Sequence, residues 1–208
     1  GYGQTETINI VGNFPGVETR FGSMGKPVPG FDINVVDDNG KILPDGGVGH
    51  IAICTEKKWP PGLFHGYLQN KVIVKDSFRH GWYYTGDNAS RDKDGYLWFV
   101  GRSDDLISSA GYRISPFEVE SALLEHDLIA ESAVVGVPDE TRGQLVKAYI
   151  VLVEGYKGSN ELIREIQDFC KNLTAPYKYP RKVEFVESLP KTISGKIRRV
   201  ELREIENK

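Results

Sequence analysis

At Arg102 the pattern of this chain changes, and that change limits its possible folds more than any single motif does. Before it, short apolar runs are separated by glycine turns. FDINVVDD (Phe31–Asp38) is followed by Asn39-Gly40, HIAICT (His50–Thr55) is preceded by Asp45-Gly46-Gly47, and WYYTGD and YLWFVG flank Asp94-Gly95. Apolar runs bounded by Asn-Gly or Asp-Gly are the signature of hairpins, so this part predicts a small antiparallel sheet or barrel and not a Rossmann unit. After Arg102, Ser115-Pro116-Phe117-Glu118 makes a capping box with proline at the first helical position, and Val119, Ala122 and Leu123 supply one apolar face. A helix is predicted from there to about His126. SAVVGV (Ser132–Val137) and LVKAYIVLV (Leu145–Val153) read as strands, and Ser159 caps a second helix with the stripe Leu162, Ile163, Ile166, Phe169, Cys170 and Leu173. KVEFVESL (Lys182–Leu189) reads as a third strand, and a short helix is expected after Lys196. The junction between an all-β piece and a compact α+β piece falls at Ser103–Leu106.

The 208 residues suffice for one large domain or two small ones, and Gly 23 with Pro 11 suits a loop-rich α/β or α+β chain. The net charge of -3 is unevenly spread. From Lys171 to Lys208 ten Lys/Arg stand against five Asp/Glu, so this tail is +5 and the residues before it sum to -8. A basic end invites a polyanion: a nucleotide, coenzyme A or nucleic acid. Cys54 and Cys170 show no paired spacing, which indicates neither a disulfide framework nor a metal knuckle and points to a reducing compartment. No apolar run approaches membrane-spanning length and no signal peptide opens the chain. The start on Gly1-Tyr2-Gly3, a dense motif without a lead-in, reads as a cut from the middle of a longer protein.

Four segments carry residue types suited to chemistry. In GYGQTE (Gly1–Glu6) the glycines let backbone approach a ligand, Thr5 can bond a phosphate oxygen and Glu6 can hold Mg²⁺; a plain turn before a strand is the other reading. In YYTGD (Tyr83–Asp87) the Asp87 carboxylate can grip two vicinal ribose hydroxyls, or cap its own turn. GRSDDLISSAGYRISPFEVE (Gly101–Glu120) places Arg102 and Arg113 around a polar loop at the junction, where two arginines can meet ribose and phosphate or simply salt-bridge a linker. Asp104 or Asp105 can absorb a dihedral change there if two lobes rotate. PKTISGKIRR (Pro190–Arg199) sets Lys196 after Ser194-Gly195, suited either to delivering an ammonium to phosphate oxygens or to a charged surface turn.

Taken together, in this order, the four segments resemble the acyl-adenylate-forming enzymes: acyl-CoA synthetases, luciferases and peptide-synthetase adenylation domains. Within that group SSAGYRISPFEVESALLEH and TAPYKYPRKVEFVESLPKTISGKIRR look most like medium-chain acyl-CoA synthetases, as does HIAICTEKKWPPGLFHGYLQN. The resemblance spans the whole chain but only the carboxy-terminal part of such an enzyme, whose upstream phosphate loop and acyl pocket lie outside it. It implies an α/β protein of α+β pieces. A distorted antiparallel β-barrel-like remnant of a large domain (residues 1–103) would precede a small, mobile α+β domain (residues 104–208), with the hinge at Asp104.

The resemblance also implies an activity: a fatty carboxylate attacks the α-phosphorus of ATP, pyrophosphate leaves, and the thiol of coenzyme A captures the acyl-adenylate. Gly1, Tyr2, Gly3, Gln4 and Thr5 would line the adenine and α-phosphate site and Glu6 would help hold Mg²⁺. Asp87 and Arg102 would hold the ribose hydroxyls, with Arg113 near the nucleotide. Lys196 matches the lysine that enters the site only for adenylation, on a loop whose Gly195 gives it mobility; with Thr5 and Glu6 it makes the catalytic set. For coenzyme A, the loop Ala110-Gly111-Tyr112 would flank the pantetheine passage, and Arg142, Lys171 and the patch at Tyr177-Lys178-Tyr179 would meet the phosphoadenosine.

A short- or medium-chain fatty acid is therefore the expected substrate, with ATP, Mg²⁺ and coenzyme A, in a cytoplasm or a mitochondrial matrix. An adenylating enzyme that loads a carrier-protein thiol is a second reading of the same fold. A non-catalytic nucleic-acid-binding module using the basic tail is a third, against which stands the lack of an RNA-binding aromatic pattern around Tyr177, Tyr179 and Phe185. The isolated 208 residues are expected not to turn over ATP.

Overall fold

The structure, a computed structural model, describes residues 1–67 and 76–206, so the end of the HIAICTEKKWPPGLFHGYLQN segment, residues 68–70, lies outside the described residues. The chain divides into two compact units, Gly1–Asp104 and Asp105–Lys208. Among the described residues no helix is long and apolar enough to cross a membrane.

The first unit holds two antiparallel sheets rather than one. A three-stranded sheet contains β1 (Tyr2–Gln4), β2 (Ile8–Gly12) and β3 (Lys26–Pro27). A five-stranded sheet runs β4 (Ile33–Val36), β5 (Val48–Cys54), β7 (Trp82–Arg91), β6 (Phe78–Arg79), with β8 (Leu97–Arg102) also paired to β7. Side-chain alternation sorts the strands' faces. Ile33 and Val35 of β4 and Ile51 and Ile53 of β5 join Ile10, Val11 and Leu97 in one core, so both sheets share it. Val36, Ala52 and Tyr84 form a smaller cluster on the opposite face. The expected hairpin around Asp94-Gly95 is present as β7 and β8, whose register sets Asp87 opposite Arg102.

In the second unit β9 (Ile107–Ser109), β10 (Tyr112–Ile114), β11 (Ile129–Asp139) and β12 (Gly143–Leu152) make a sheet in the order β10-β9-β12-β11, and β13 (Lys182–Phe185) pairs parallel with β12. Helices α1 (Pro116–Leu123) and α2 (Asn160–Leu173) bury Val119, Leu123, Ile166 and Cys170 against Val134, Val146, Ala148 and Ile150. On the other face Ala133, Val135, Val137 and Tyr149 pack with Leu189 and with Leu202 of α3 (Arg199–Glu206). Both faces of β11 and β12 are thus covered, which is why their sequences are nearly continuous apolar runs.

Serine caps start α1 and α2: Ser115 Oγ accepts from Glu118 N–H at 3.3 Å and Ser159 Oγ from Leu162 N–H at 3.1 Å. Two sequence expectations are corrected at element ends. The first helix stops at Leu123 instead of reaching His126, because Glu125 and His126 donate to Ala122 and Leu123, three residues back, and so tighten the last turn. The third strand ends at Phe185 and not at Leu189; Leu189 crosses to the α3 face of the sheet. The short helix expected after Lys196 is present from Arg199, following a closed turn around Lys196.

Candidate active site

Period-two alternation in β1 puts Tyr2 and Gln4 on one side, and both reach Asp87 on β7. Tyr2 O–H donates to Asp87 Oδ2 at 2.6 Å and Gln4 Nε2 donates to the same oxygen at 2.8 Å. Gln4 Nε2 also donates to the Thr85 carbonyl at 2.9 Å. Asp87 Oδ1 faces Arg102 Nη1 at 3.6 Å, beyond hydrogen-bond range, so that oxygen keeps its acceptor capacity. The Asp87 side chain is 8% exposed against 48% for Arg102. Burial raises the Asp87 pKa above the ordinary aspartate value, opposed by the Tyr2 hydrogen bond, the Arg102 charge and the Gln4 amide. Burial and the Asp87 charge in turn push the Tyr2 phenol well above its usual range. A buried carboxylate oxygen held by two donors, beside a second oxygen open to hydroxyl donors, fits the grip on a ribose diol.

Thr5 and Glu6 are not brought to that cluster. They lie in the turn joining β1 to β2, closed by Gln4 N–H to Thr7 Oγ1 at 3.0 Å and Thr7 N–H to the Gln4 carbonyl at 3.1 Å. Thr5 is exposed, and Glu6 Oε1 accepts from Tyr67 O–H, which pushes the Tyr67 phenol up to about 12. Among the described residues no group of three or more His, Cys, Asp or Glu side chains stands ready for a metal. A lone carboxylate such as Glu6 suits Mg²⁺ only where water and substrate phosphates complete the coordination. Gly3 is fixed by the hairpin itself, since a Cβ there would stand 2.0 Å from the Ile8 carbonyl oxygen. Gly1 is exposed beside it.

In the second unit β9 and β10 are joined by Ala110 and Gly111 alone, with φ of 49° and 84°. Two positive φ values are the requirement of a type I′ turn, which here holds alanine at its first position. The turn is braced by Ala110 N–H donating to the Arg142 carbonyl at 2.9 Å. Tyr112, next after the turn, stacks on Tyr177 with centroids 4.2 Å apart, and the neighbouring Arg113 is exposed. A separate group gathers on Tyr179: Lys171 Nζ lies 4.4 Å from its ring centroid and Arg181 Cζ 4.9 Å, while Arg181 also donates to its hydroxyl at 2.8 Å. Tyr179 is half-buried against the core and Lys171 also pairs with Asp168 at 2.7 Å; cations over an aromatic ring suit an anionic ligand with a planar base.

Lys196 is exposed and sits in a closed turn rather than a loose finger. Thr192 N–H donates to the Lys196 carbonyl at 2.8 Å, Gly195 N–H to the Thr192 carbonyl at 2.9 Å, and Lys196 N–H to Thr192 Oγ1 at 3.1 Å. Gly195 has φ of 82°, so its glycine serves turn geometry. Asp104 is exposed and accepts from Arg102 Nε at 3.2 Å. Sequence reading singles out the patch at Tyr177-Lys178-Tyr179 but misses Arg181, the second cation on the Tyr179 ring.

Two family models match the chain: "AMP-binding enzyme" over residues 1–68 and "AMP-binding enzyme C-terminal domain" over residues 118–196. Among curated relatives, the mitochondrial acyl-coenzyme A synthetase ACSM3 of Mus musculus is 56% identical over 208 residues, covering 99% of this chain and 36% of its own length. The 4-hydroxybutyrate–CoA ligase 1 of Metallosphaera sedula is 59% identical over 206 residues, with 99% and 36% covered. The crystal structure of the anthranilate CoA ligase AuaEII in complex with anthranoyl-AMP superposes with a TM-score of 0.84 at 42% identity, covering 98% of this chain and 39% of that one. The chain thus spans about a third of the length of the curated relatives it matches. The models, the relatives and the fold agree, and the chain belongs to the AMP-binding enzyme family.

Proposed function

We propose that the chain is the carboxy-terminal part of an ATP-dependent acyl-CoA ligase. The whole enzyme would form an acyl-adenylate from a short- or medium-chain acid and pass the acyl group to coenzyme A, releasing AMP and pyrophosphate. The observation that carries this is the Tyr2–Gln4–Asp87 cluster beside Arg102, a ribose clamp in a chain whose relatives are named acyl-coenzyme A synthetase and CoA ligase. Asp87 and Arg102 hold the ribose hydroxyls, Tyr2 and Gln4 aim Asp87, and Thr5 and the glycines Gly1 and Gly3 border the α-phosphate. Bound Mg²⁺ would neutralise charge on the phosphates, and Glu6 is the residue that would hold it.

Lys196 supplies the cation for adenylation. Negative charge builds on the α-phosphate and the leaving pyrophosphate, and an ammonium placed there stabilises the transition state more than the ground state. In this reading the second unit turns about Asp104 between the two half-reactions, bringing Arg113 to the nucleotide and then Ala110-Gly111-Tyr112 to the pantetheine. Arg142, Lys171 and Tyr179 meet the phosphoadenosine. The mouse relative is a mitochondrial synthetase by name, which favours a mitochondrial matrix over a cytoplasm.

The test is carboxylate-dependent ATP–pyrophosphate exchange on the intact parent chain, wild type against Lys196→Ala, over acids from butyrate to dodecanoate, with thioester formation from supplied acyl-adenylate run alongside. Loss of exchange with thioester formation retained is expected, and the acid profile names the substrate. Exchange that survives Lys196→Ala removes the lysine from the mechanism.

A further inference from the structure

Asp105 opens the second unit, one residue after the expected hinge, yet its side chain is only 13% exposed. Its oxygens are divided between two arginines of α3: Oδ1 takes Arg203 Nη1 at 2.6 Å, and Oδ2 faces Arg199 Nη1 at 3.4 Å. Arg199 presents its other edge to Glu120 of α1 as a two-point pair, Nε to Oε1 at 3.1 Å and Nη2 to Oε2 at 2.6 Å. Glu120 is itself buried and accepts from Val134 N–H on β11 at 2.8 Å. An unbroken series of charge-assisted bonds therefore runs from the first residue after the hinge, across the first two turns of α3, into the middle of the unit.

α3 begins three residues after Lys196, and between them the chain is pinned by the Lys191–Ile197 bridge and by Arg198 N–H donating to the Pro190 carbonyl at 2.9 Å. The far end of the helix is fastened separately, Glu206 accepting from Tyr149 O–H at 2.6 Å and pairing with Lys147. Apolar packing by Leu202 already attaches the helix to the sheet. Desolvating two carboxylates and two guanidiniums to attach it again is a poor route to stability, because such clusters can be replaced by apolar groups at little net loss. What the cluster adds is direction. It allows one axial position and one rotation of α3 relative to Asp105, and so one exit direction for the turn that carries Lys196.

We propose that Asp105, Arg199 and Arg203 are positioning residues for the adenylation step, tying the hinge backbone to the helix that aims Lys196. The proposal rests on the adenylation role of Lys196 given above. A lysine that must place its ammonium against a transition state is sensitive to a shift of about 1 Å, worth about 10²-fold in rate. Thioester formation does not use Lys196, so the same shift leaves it nearly unchanged.

The experiment uses the full-length parent enzyme with Asp105→Asn and Arg203→Met, and Lys196→Ala as the reference. Exchange, thioester formation from supplied acyl-adenylate and thermal melting are read for each. The expected result is a fall in the kcat of exchange of about 10- to 100-fold, with KM for ATP and thioester formation within about twofold, even though Asp105→Asn takes the carboxylate from Arg203 and lowers the melting temperature. Half-reactions that fall together with the melting temperature would show a merely structural cluster and overturn the proposal, as would unchanged exchange. If Lys196→Ala loses exchange while Asp105→Asn and Arg203→Met keep it, the proposal alone falls; if Lys196→Ala keeps exchange, the reading beneath it falls too.

Discussion

The hydroxyl of Tyr2 donates to Asp87 Oδ2 at 2.6 Å across 85 residues of chain, and Asp87 is the carboxylate whose ionised form is proposed to grip ribose. Burial raises the Asp87 pKa, and the Tyr2 hydrogen bond, which favours the charged form, pulls against that rise. In the parent enzyme AMP affinity should therefore weaken as pH falls through a midpoint above that of an ordinary aspartate. Tyr2→Phe removes a bond to the charged form, raises the pKa further and moves the acid limb to higher pH. AMP titrations of wild type and Tyr2→Phe at a series of pH values check this; a limb that moves to lower pH contradicts it.

Much of this cluster could be read from residue order. The Asp94-Gly95 turn gave the hairpin of β7 and β8, and its register alone sets Asp87 against Arg102. Helix starts were legible because Ser115 and Ser159 act locally. Less legible was whatever depends on distant partners. The tail's excess charge pointed to a polyanion, but Lys178, Lys191, Arg199 and Arg203 pair with Glu118, Glu131, Glu120 and Asp105 from earlier in the same unit. Composition counts those cations without knowing that the fold has spent them on carboxylates far away in sequence. The division of the first unit into two sheets was hidden for the same reason, since one core joins them.

The hairpin that carries the clamp depends on Gly3. A Cβ there would meet the Ile8 carbonyl oxygen at 2.0 Å and Asn9 Cα at 2.8 Å, both backbone atoms that cannot rotate aside. Gly3→Ala should force β1 off β2, lower the melting temperature of the parent enzyme and weaken AMP binding by about tenfold or more, the scale of a lost backbone pairing and two misplaced donors. Gly12→Ala in the same sheet meets nothing nearer than Asn9 Nδ2 at 3.5 Å and should stay within about 0.5 kcal/mol of wild type. Equal effects from the two substitutions in a thermal melt and an AMP titration would contradict the steric account.

The turn at Ala110-Gly111 should be improvable. Ala110 holds φ of 49°, a region that costs an L-residue with a Cβ about 1 kcal/mol and that asparagine enters more readily. Ala110→Asn is expected to raise the stability of the second unit by about 0.5–1 kcal/mol, with the KM for coenzyme A within about threefold. Gly111→Val, at φ of 84°, should destabilise by a larger amount although open space surrounds it. Calorimetric scans of the parent enzyme and the two variants read the sign directly.

The pair of Glu120 and Arg199 tests how the second unit tolerates buried charge. Their side chains are 8% and 21% exposed, and burial raises the Glu120 pKa while the bonds and charge of Arg199 oppose it. Glu120→Ala would leave Arg199 with only Asp105 and would strand the Val134 N–H, so a loss of about 3–5 kcal/mol is expected. Arg199→Met alone should cost less, because Glu120 can take up a proton when its partner goes. The double replacement Glu120→Leu with Arg199→Met should regain most of the stability lost by Glu120→Ala, since no unpaired charge stays behind. Denaturant unfolding of wild type and the three variants ranks their stabilities. A double variant no more stable than Glu120→Ala would mean that shape, and not charge pairing, holds α3 against α1.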